Sequence, residues 1–128
     1  MMKQVVYTPK APAPIGPYSQ AQRAGDFLFV SGQIAIDAAS QEFISSTAQN
    51  EAKMALDNIT AILHAAHCSW DQVCKTTIFL MDMADFPAVN EVYAKYFNEN
   101  FPSRETVQVA GLPKNARVEI SVIVYLGK

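Results

Sequence analysis

The chain has 128 residues, of which 50% are hydrophobic and 17% charged, and its formal net charge is −2. This length predicts a single domain over 1–128, and the apolar fraction excludes a disordered chain. Its 10 lysines and arginines are scattered, which argues against a nucleic-acid-binding protein, because such proteins cluster cations to displace counterions. No apolar run approaches the roughly 20 residues that span a bilayer, and the first residues lack a signal-peptide core. We therefore expect a cytoplasmic protein without a membrane partner.

The N-terminal part is predicted to be a rigid loop followed by a strand. Several prolines fall within residues 9–17 and restrict the backbone to extended conformations. The apolar run 27–30 predicts a strand that resumes over 33–36, and Gly32 between them indicates a bulge or a close approach to the backbone. Tyr18, just after the loop, could wall a pocket, although ordinary packing explains it equally well.

Two helices are predicted from hydrophobic spacing and capping signals. Residues 46–49 have the form of a capping box, and apolar residues at helical spacing then continue to Ala66 as one buried stripe. The opposite, polar face is predicted to be exposed: Glu51, Lys53, Asp57, Asn58 and His64. After a β-branched strand over 73–80, residues 82–85 supply the start of a second helix that ends near Asn98.

The chain closes with two predicted strands, 104–109 and 117–126. In the second, the alternate residues that begin with Val118 form an apolar face, whereas the face that begins with Glu119 mixes polar residues with an isoleucine and a tyrosine. That second face is too apolar for full exposure, which indicates that another subunit covers it. We predict an α+β protein with a single-layer sheet, two helices on one face and a homo-oligomer contact on the other.

Glu119 and Arg104 are the main candidates for chemistry. A carboxylate in an apolar strand must be paired, hydrogen-bonded or raised in pKa, and each state suits a general acid or base. An exposed glutamate on an outer strand face fits the same pattern. Arg104 follows a rigid Phe-Pro-Ser entry, and its guanidinium could grip a carboxylate through two hydrogen bonds. Taken alone, a solvated arginine or a partner for Glu105 is the simpler interpretation.

Other polar residues could line a site. Ser31 could supply a hydroxyl beside Gly32, and Asn90 is polar within an apolar helix stretch, where it could reach a ligand or cap a loop. No metal is predicted, because the cluster near the end of the first helix offers too few ligands: His64, His67 and Cys68. The two cysteines are interpreted as buried or half-buried thiols. There is neither a phosphate-binding glycine loop nor a serine-hydrolase elbow.

Short motifs are spread along the whole chain: A-P-I-G-P-Y-S-Q over 13–20, S-G-Q-I over 31–34, F-P-S-R over 101–104 and V-E-I over 118–120. L-D-N-I over 56–59 and K-T-T-I-F-L over 75–80 belong to the same set. Together and in this order they resemble the Rid family of reactive intermediate deaminases, the RidA-like or YjgF-type proteins, also called enamine/imine deaminases. The resemblance covers essentially the whole chain.

The resemblance implies a chorismate-mutase-like fold and a homotrimer with its sites in the clefts between subunits. It implies a hydrolase acting on C–N bonds, which converts 2-iminobutanoate, 2-iminopropanoate and their enamine tautomers to 2-oxo acids and ammonia without a cofactor. Arg104 would bind the substrate carboxylate, and Glu119 would position the attacking water and manage its proton. The other residues that would wall or line the pocket are Tyr18, Ser31, Gly32, Asn90 and Thr106.

Some residues depart from the family pattern. Thr106 stands where the archetypal deaminases carry a cysteine, and Gly111 stands where a basic residue often precedes the Leu-Pro turn. Glu105 could compete for the guanidinium of Arg104. These departures bear on the substrate range more than on the reaction class.

Alternative functions stay open at this point. The same cleft could sense a 2-oxo acid without turning it over, although binding alone would need only Arg104. Ribonuclease or translation-inhibitor activity is attributed to members of the family, but the acidic net charge argues against RNA binding. A chaperone-like surface role has no specific signal in the sequence.

Overall fold

The computed structural model describes residues 2–127. It contains one six-stranded sheet with the strand order β1-β2-β3-β6-β4-β5, in which only β4 and β5 run parallel. The elements are β1 (Gln4–Val6), β2 (Ala21–Ala24), β3 (Phe27–Gln33), α1 (Ala48–Ala65), β4 (Val73–Leu80), α2 (Phe86–Ala94), β5 (Ser103–Gln108) and β6 (Val118–Tyr125). Helix α2 joins β4 to β5, because parallel neighbours need a crossover connection.

The hydrophobic core lies between the two helices and one face of the sheet. Leu56, Ile59 and Leu63 of α1 are fully buried and pack with the alternate residues of β6 that begin with Val118. Burying such a side chain contributes about 1.5–3 kcal/mol. The predicted helical stripe, the alternation in the last strand and the arrangement of both helices on one sheet face are confirmed. This core fixes the central strands from which the candidate site projects.

The other face of the sheet carries exposed aromatic side chains. Phe27, Phe29 and Tyr125 have 41%, 45% and 42% of their surface exposed. The Phe27 ring lies 5.4 Å from that of Tyr125 and 6.5 Å from that of Phe29, measured between centroids. Contiguous apolar surface of this kind is typical of a protein contact.

Several predicted boundaries differ from those observed. Strands β1 and β2 were not predicted, because they have only three and four residues and show no clear apolar alternation. The N-cap of α1 is Thr47, whose hydroxyl accepts from Asn50 N at 3.2 Å, so the predicted capping box was one residue too early. Helix α2 ends at Ala94 rather than near Asn98, because the N–H groups that follow turn to carbonyls three residues back.

Two polar residues of α1 are buried rather than exposed as predicted. Glu51 is 1% exposed and Asn58 is 6% exposed. The Glu51 carboxylate accepts from Ser46 N at 3.1 Å and Arg117 N at 2.9 Å, and Asn58 donates to carbonyls of the segment after β3. Both side chains are on the inner face because irregular backbone packed there needs hydrogen-bond partners.

The two cysteines differ in burial. Cys68 is buried, and burial raises the pKa of its thiol to about 11, whereas Cys74 is exposed and not half-buried as predicted. Both are free thiols.

Among residues 2–127 no group of three His, Cys, Asp or Glu side chains is arranged to hold a metal ion. Within the same range no helix is long and apolar enough to span a membrane. The cytoplasmic location stays a prediction.

Candidate functional site

A cleft of about 360 Å³ opens between the proline-rich loop, the end of β3 and the start of β6. Its walls are mostly apolar, and Glu119 is the one charged residue among them. The residues that line it are Pro12, Ile15, Tyr18, Gln20, Ser31, Gly32, Gln33, Ile34, Ile36, Pro113 and Glu119. We call it the carboxylate cleft. It brings together four of the residues predicted from the sequence: Tyr18, Ser31, Gly32 and Glu119.

Gly32 makes room for the carboxylate of Glu119. The pairing of β3 with β6 shifts register between Val30 and Gln33, which is the bulge predicted at this glycine. A β-carbon on Gly32 would lie 2.6 Å from Glu119 Oε2 and 2.7 Å from its carboxyl carbon. Any larger residue would therefore push the carboxylate out of its position.

The carboxyl group of Glu119 is half-buried in the cleft. Burial raises its pKa above the ordinary value of 4.5. Among residues 2–127 no lysine, arginine or histidine forms an ion pair with it. A carboxyl group with a raised pKa holds a proton more readily than an exposed one and can return it, as a general acid or base must.

The proline-rich wall of the cleft is held by one buried side chain. Gln20 accepts from Thr8 N at 2.7 Å and donates to Thr8 O at 3.0 Å, Pro12 O at 2.9 Å and Ala11 O at 3.3 Å. These bonds leave the loop little freedom. Tyr18, at its end, is 50% exposed, so it walls the cleft instead of packing in the core.

Ser31 and the facing wall of the cleft are also held by hydrogen bonds. The Ser31 hydroxyl donates to Ser19 O at 2.6 Å, so its proton is already used and its oxygen remains as an acceptor. On the facing wall, Asn58 Nδ2 donates to Ile36 O at 2.9 Å and Ile34 O at 3.4 Å. The hydrogen-bonding role of Asn58 was not predicted. Its partners are backbone carbonyl groups of an irregular segment, and no sequence pattern marks such groups.

Arg104 lies on the helix side of β5, beside α2. Its Nη1 donates to Asn90 Oδ1 at 2.6 Å. Its guanidinium carbon lies 5.1 Å from the ring centroid of Phe86 and 5.1 Å from that of Tyr93. We call Asn90, Phe86 and Tyr93 the arginine cradle. Asn90 thus reaches the predicted arginine directly, while sequence reasoning did not single out the two rings.

The structure does not bring Arg104 and Glu119 together within one chain. Thr76 pairs with Arg104, and Phe79 pairs with Glu119, so the two side chains leave opposite faces of the sheet. Two strand spacings of about 4.8 Å and three residues of about 3.3 Å place their α-carbons about 14 Å apart. One chain therefore does not present both side chains to the same small ligand.

Thr106 sits two residues beyond Arg104 on the edge strand. Its hydroxyl oxygen is buried and has no hydrogen-bond partner among residues 2–127. Val109 N donates to Leu80 O at 2.9 Å, and because the polar groups of a parallel strand alternate in direction, the Thr106 amide points to the free edge. The backbone of Thr106 is therefore available to a ligand, whereas its side chain is not.

Two further expectations concern Glu105 and Gly111. Glu105 does not compete for its guanidinium, since it lies on the opposite face and its Oε1 is 3.4 Å from Lys75 Nζ. Gly111 has open space where a β-carbon would stand, so a larger residue would fit there without a clash.

The comparisons with known proteins agree on one family. The sequence model described as endoribonuclease L-PSP matches residues 8–126. A RutC family protein of Pyrococcus horikoshii is 49% identical over 97% of this chain and 98% of its own length. The human protein named 2-iminobutanoate/2-iminopropanoate deaminase is 46% identical over 99% of this chain and 93% of its own.

Solved structures extend the agreement to the fold. YyfA of Yersinia pestis, a Rid family protein described as of unknown function, matches with a TM-score of 0.94 and 41% identity over 97% of this chain and 99% of its own. TdcF of E. coli, solved with bound serine, matches with a TM-score of 0.89 and 38% identity over 95% and 98%. The resemblance drawn from the motifs is confirmed.

Proposed function

We infer the function of this chain from its family: it belongs to the endoribonuclease L-PSP family, which includes the Rid proteins. We propose that it hydrolyses short-chain 2-imino acids and their enamine tautomers, such as 2-iminobutanoate and 2-iminopropanoate, to 2-oxo acids and ammonia. The names of its mammalian relatives support this activity. The observation that carries it is the half-buried, uncompensated carboxyl group of Glu119 in a mostly apolar cleft.

Arg104 is proposed to bind the carboxylate of the substrate. Its guanidinium uses one N–H on Asn90 and meets two neutral ring faces. Its other N–H groups can form the paired hydrogen bonds that a carboxylate accepts. The backbone amide of Thr106 at the free edge of β5 would donate a further bond. Serine, the ligand of TdcF, carries the same carboxylate next to a nitrogen-bearing carbon.

Glu119 is proposed as the catalytic base and acid. Its carboxylate takes a proton from water while the water oxygen bonds to the iminium carbon and the C=N electron pair moves to nitrogen. The carboxyl group then returns the proton to the amine of the resulting carbinolamine. The hydroxyl proton passes to the carboxylate and on to solvent as the C–N bond breaks and ammonia leaves. These steps consume only water and the iminium ion and yield the 2-oxo acid, ammonia and a proton. The proposed reaction therefore needs no cofactor.

The carboxylate cleft is proposed to orient the substrate and exclude competing reactions. Its rigid walls, pinned by Gln20 and Asn58, reduce the entropy lost when a substrate and a water are aligned. Tyr18 would close one side of the cleft, and the Ser31 oxygen would accept a hydrogen bond from the substrate nitrogen. Gly32 would keep the carboxylate of Glu119 at the reacting carbon.

A homotrimer is proposed as the working assembly, with Arg104 of one subunit facing the carboxylate cleft of the next. The separation of the two residues on opposite sheet faces supports a shared site. The exposed aromatic cluster of Phe27, Phe29 and Tyr125 supports a covered outer face. Equilibrium sedimentation tests the trimer, and a monomer at micromolar concentration would contradict it.

RNA cleavage is the second candidate, because the family description names an endoribonuclease. The residues lining the carboxylate cleft include no lysine or arginine, and the net charge is −2. Phosphate backbones are bound chiefly through such cations, with affinity that falls steeply as salt rises. We therefore favour imine hydrolysis, and strongly salt-dependent RNA binding would favour the alternative.

The deciding experiment follows 2-oxobutanoate and ammonia released from 2-iminobutanoate, which a threonine dehydratase generates in the same vessel. The wild-type protein is expected to accelerate release above the spontaneous rate, and Arg104→Ala and Glu119→Gln are expected to lose that acceleration. Lys53→Ala serves as the matched control, because Lys53 is exposed on α1 away from the cleft. If the wild type gives no acceleration but binds 2-oxobutanoate through Arg104, the chain is a sensor and not an enzyme.

A further inference from the structure

The three residues of the arginine cradle lie on one face of helix α2. Phe86, Asn90 and Tyr93 stand at positions i, i+4 and i+7, which share one side of an α-helix. The amide of Asn90 therefore lies between the two aromatic rings. Arg104 enters this face from the neighbouring edge strand.

The guanidinium lies over both rings at equal distance. Its central carbon is 5.1 Å from the ring centroid of Phe86 and 5.1 Å from that of Tyr93. A planar cation that contacts two ring faces and also donates to the Asn90 amide oxygen has few orientations left to it.

The second ring of the cradle is itself firmly held. Tyr93 is 4% exposed, its hydroxyl lies 3.1 Å from Thr76 Oγ1, and its ring packs at 4.9 Å against that of Phe97. Desolvation raises the pKa of Tyr93, so its ring stays neutral over the physiological range. The cradle thus orients a positive charge without contributing a negative one that would compete with a substrate.

We propose that Phe86 and Tyr93 are positioning residues that aim the guanidinium of Arg104 at the carboxylate of the substrate. This inference rests on the proposed function, in which Arg104 is the carboxylate-binding group. The rings act through Arg104 and do not touch the substrate. Their loss therefore weakens the binding of every carboxylate ligand, while the proton transfers at Glu119 proceed as before once substrate is bound.

The test compares ring removal with hydroxyl removal at the same position. Tyr93→Leu deletes the ring face, and Tyr93→Phe keeps the ring but deletes the bond to Thr76. We expect Tyr93→Leu to raise the KM for 2-iminobutanoate and the Kd for 2-oxobutanoate about tenfold, the size of a partly desolvated cation–π contact, with kcat changed less than twofold. Phe86→Leu should behave in the same way. Tyr93→Phe should bind like the wild type, although it melts at a lower temperature.

The matched control for packing is Val89→Ala on the same helix. Val89 is fully buried and stands outside the cradle, so this variant should lose thermal stability without any change in Kd. A second readout is the side-chain N–H resonance of Arg104, which the two ring faces should shift upfield in the wild type but not in Tyr93→Leu.

The outcomes separate this inference from the proposed function. If the wild type binds 2-oxobutanoate and Tyr93→Leu and Phe86→Leu bind it equally well, the cradle is only structural and the inference is wrong, while the function stands. An equal rise in Kd for Tyr93→Phe or Val89→Ala would also overturn it, because stability alone would then explain the loss. If the wild type neither binds nor hydrolyses either ligand, both fail together.

Discussion

Subunits that each lack one half of the shared site are expected to complement one another. Arg104 and Glu119 leave opposite faces of the same sheet, so the proposed site would take its arginine from one subunit and its carboxylate from the neighbouring subunit. Equal amounts of Arg104→Ala and Glu119→Gln chains would be refolded together. A site then works when its arginine comes from a Glu119→Gln subunit and its glutamate from an Arg104→Ala subunit.

The expected recovery follows from counting. Each of the two conditions holds for half of the positions in a randomly mixed closed ring, so about one quarter of the wild-type activity returns. The parent variants refolded alone are the baseline. A second mixture, wild type with the double variant, should also give about one quarter if sites are shared, but about one half if each subunit carries its own. A first mixture no more active than its parents would refute the shared site.

The remaining predictions concern single residues. Gly32→Ala should lower kcat/KM at least tenfold with little loss of stability, because the added methyl group would displace the flexible carboxylate of Glu119 and not the backbone. Steady-state kinetics and thermal melting of the same variant check the two parts of this prediction. Activity should fall as the pH is lowered, because Glu119 becomes protonated at its raised pKa. The pKa of Glu119 is higher in the folded state than in the unfolded state, so its contribution to stability is lost as the pH rises from about 4.5. Glu119→Gln should therefore melt at a higher temperature than the wild type near neutral pH. Asn58→Leu should cost about 1–3 kcal/mol for each cleft-wall carbonyl left unpaired, measured by urea unfolding. Thr106→Val should stabilise the fold by about 1 kcal/mol, because it removes a buried hydroxyl that has no hydrogen-bond partner among residues 2–127. Unchanged or lower stability would count against this.

The elements that pack against one another were predictable, and the ones at the margins were not. Apolar spacing gave α1 and the alternation gave β6, because each buries one continuous face. Strands β1 and β2 carry mostly polar or small residues and owe their conformation to pairing with β3, which a local pattern does not encode. Their absence from the prediction is a case of tertiary pairing overriding local propensity.

The candidate residues were found from sequence, but their arrangement was not. Glu119 was assigned to the outer face correctly, since its own strand alternates clearly. The face on which Arg104 lies depends on the parallel register of β5 with β4, which no turn or hairpin fixes. Glu51 and Asn58 were misassigned because a helical pattern sorts residues by polarity, whereas these two are buried to satisfy nearby backbone groups.

The separation of the two groups within one chain leaves each of them free of the other. If Arg104 stood beside Glu119 in one subunit, the cation would lower the pKa of the carboxyl group and occupy the guanidinium with an internal partner. Instead the arginine contacts two rings and an amide, all neutral, and the carboxyl group is desolvated and forms no ion pair within the described part of the chain. The arginine therefore keeps its remaining N–H groups for a ligand, and the carboxyl group keeps the raised pKa that burial gives it. In the proposed trimer the two groups would meet only across an interface, with the substrate between them, so each would keep these properties until the substrate binds.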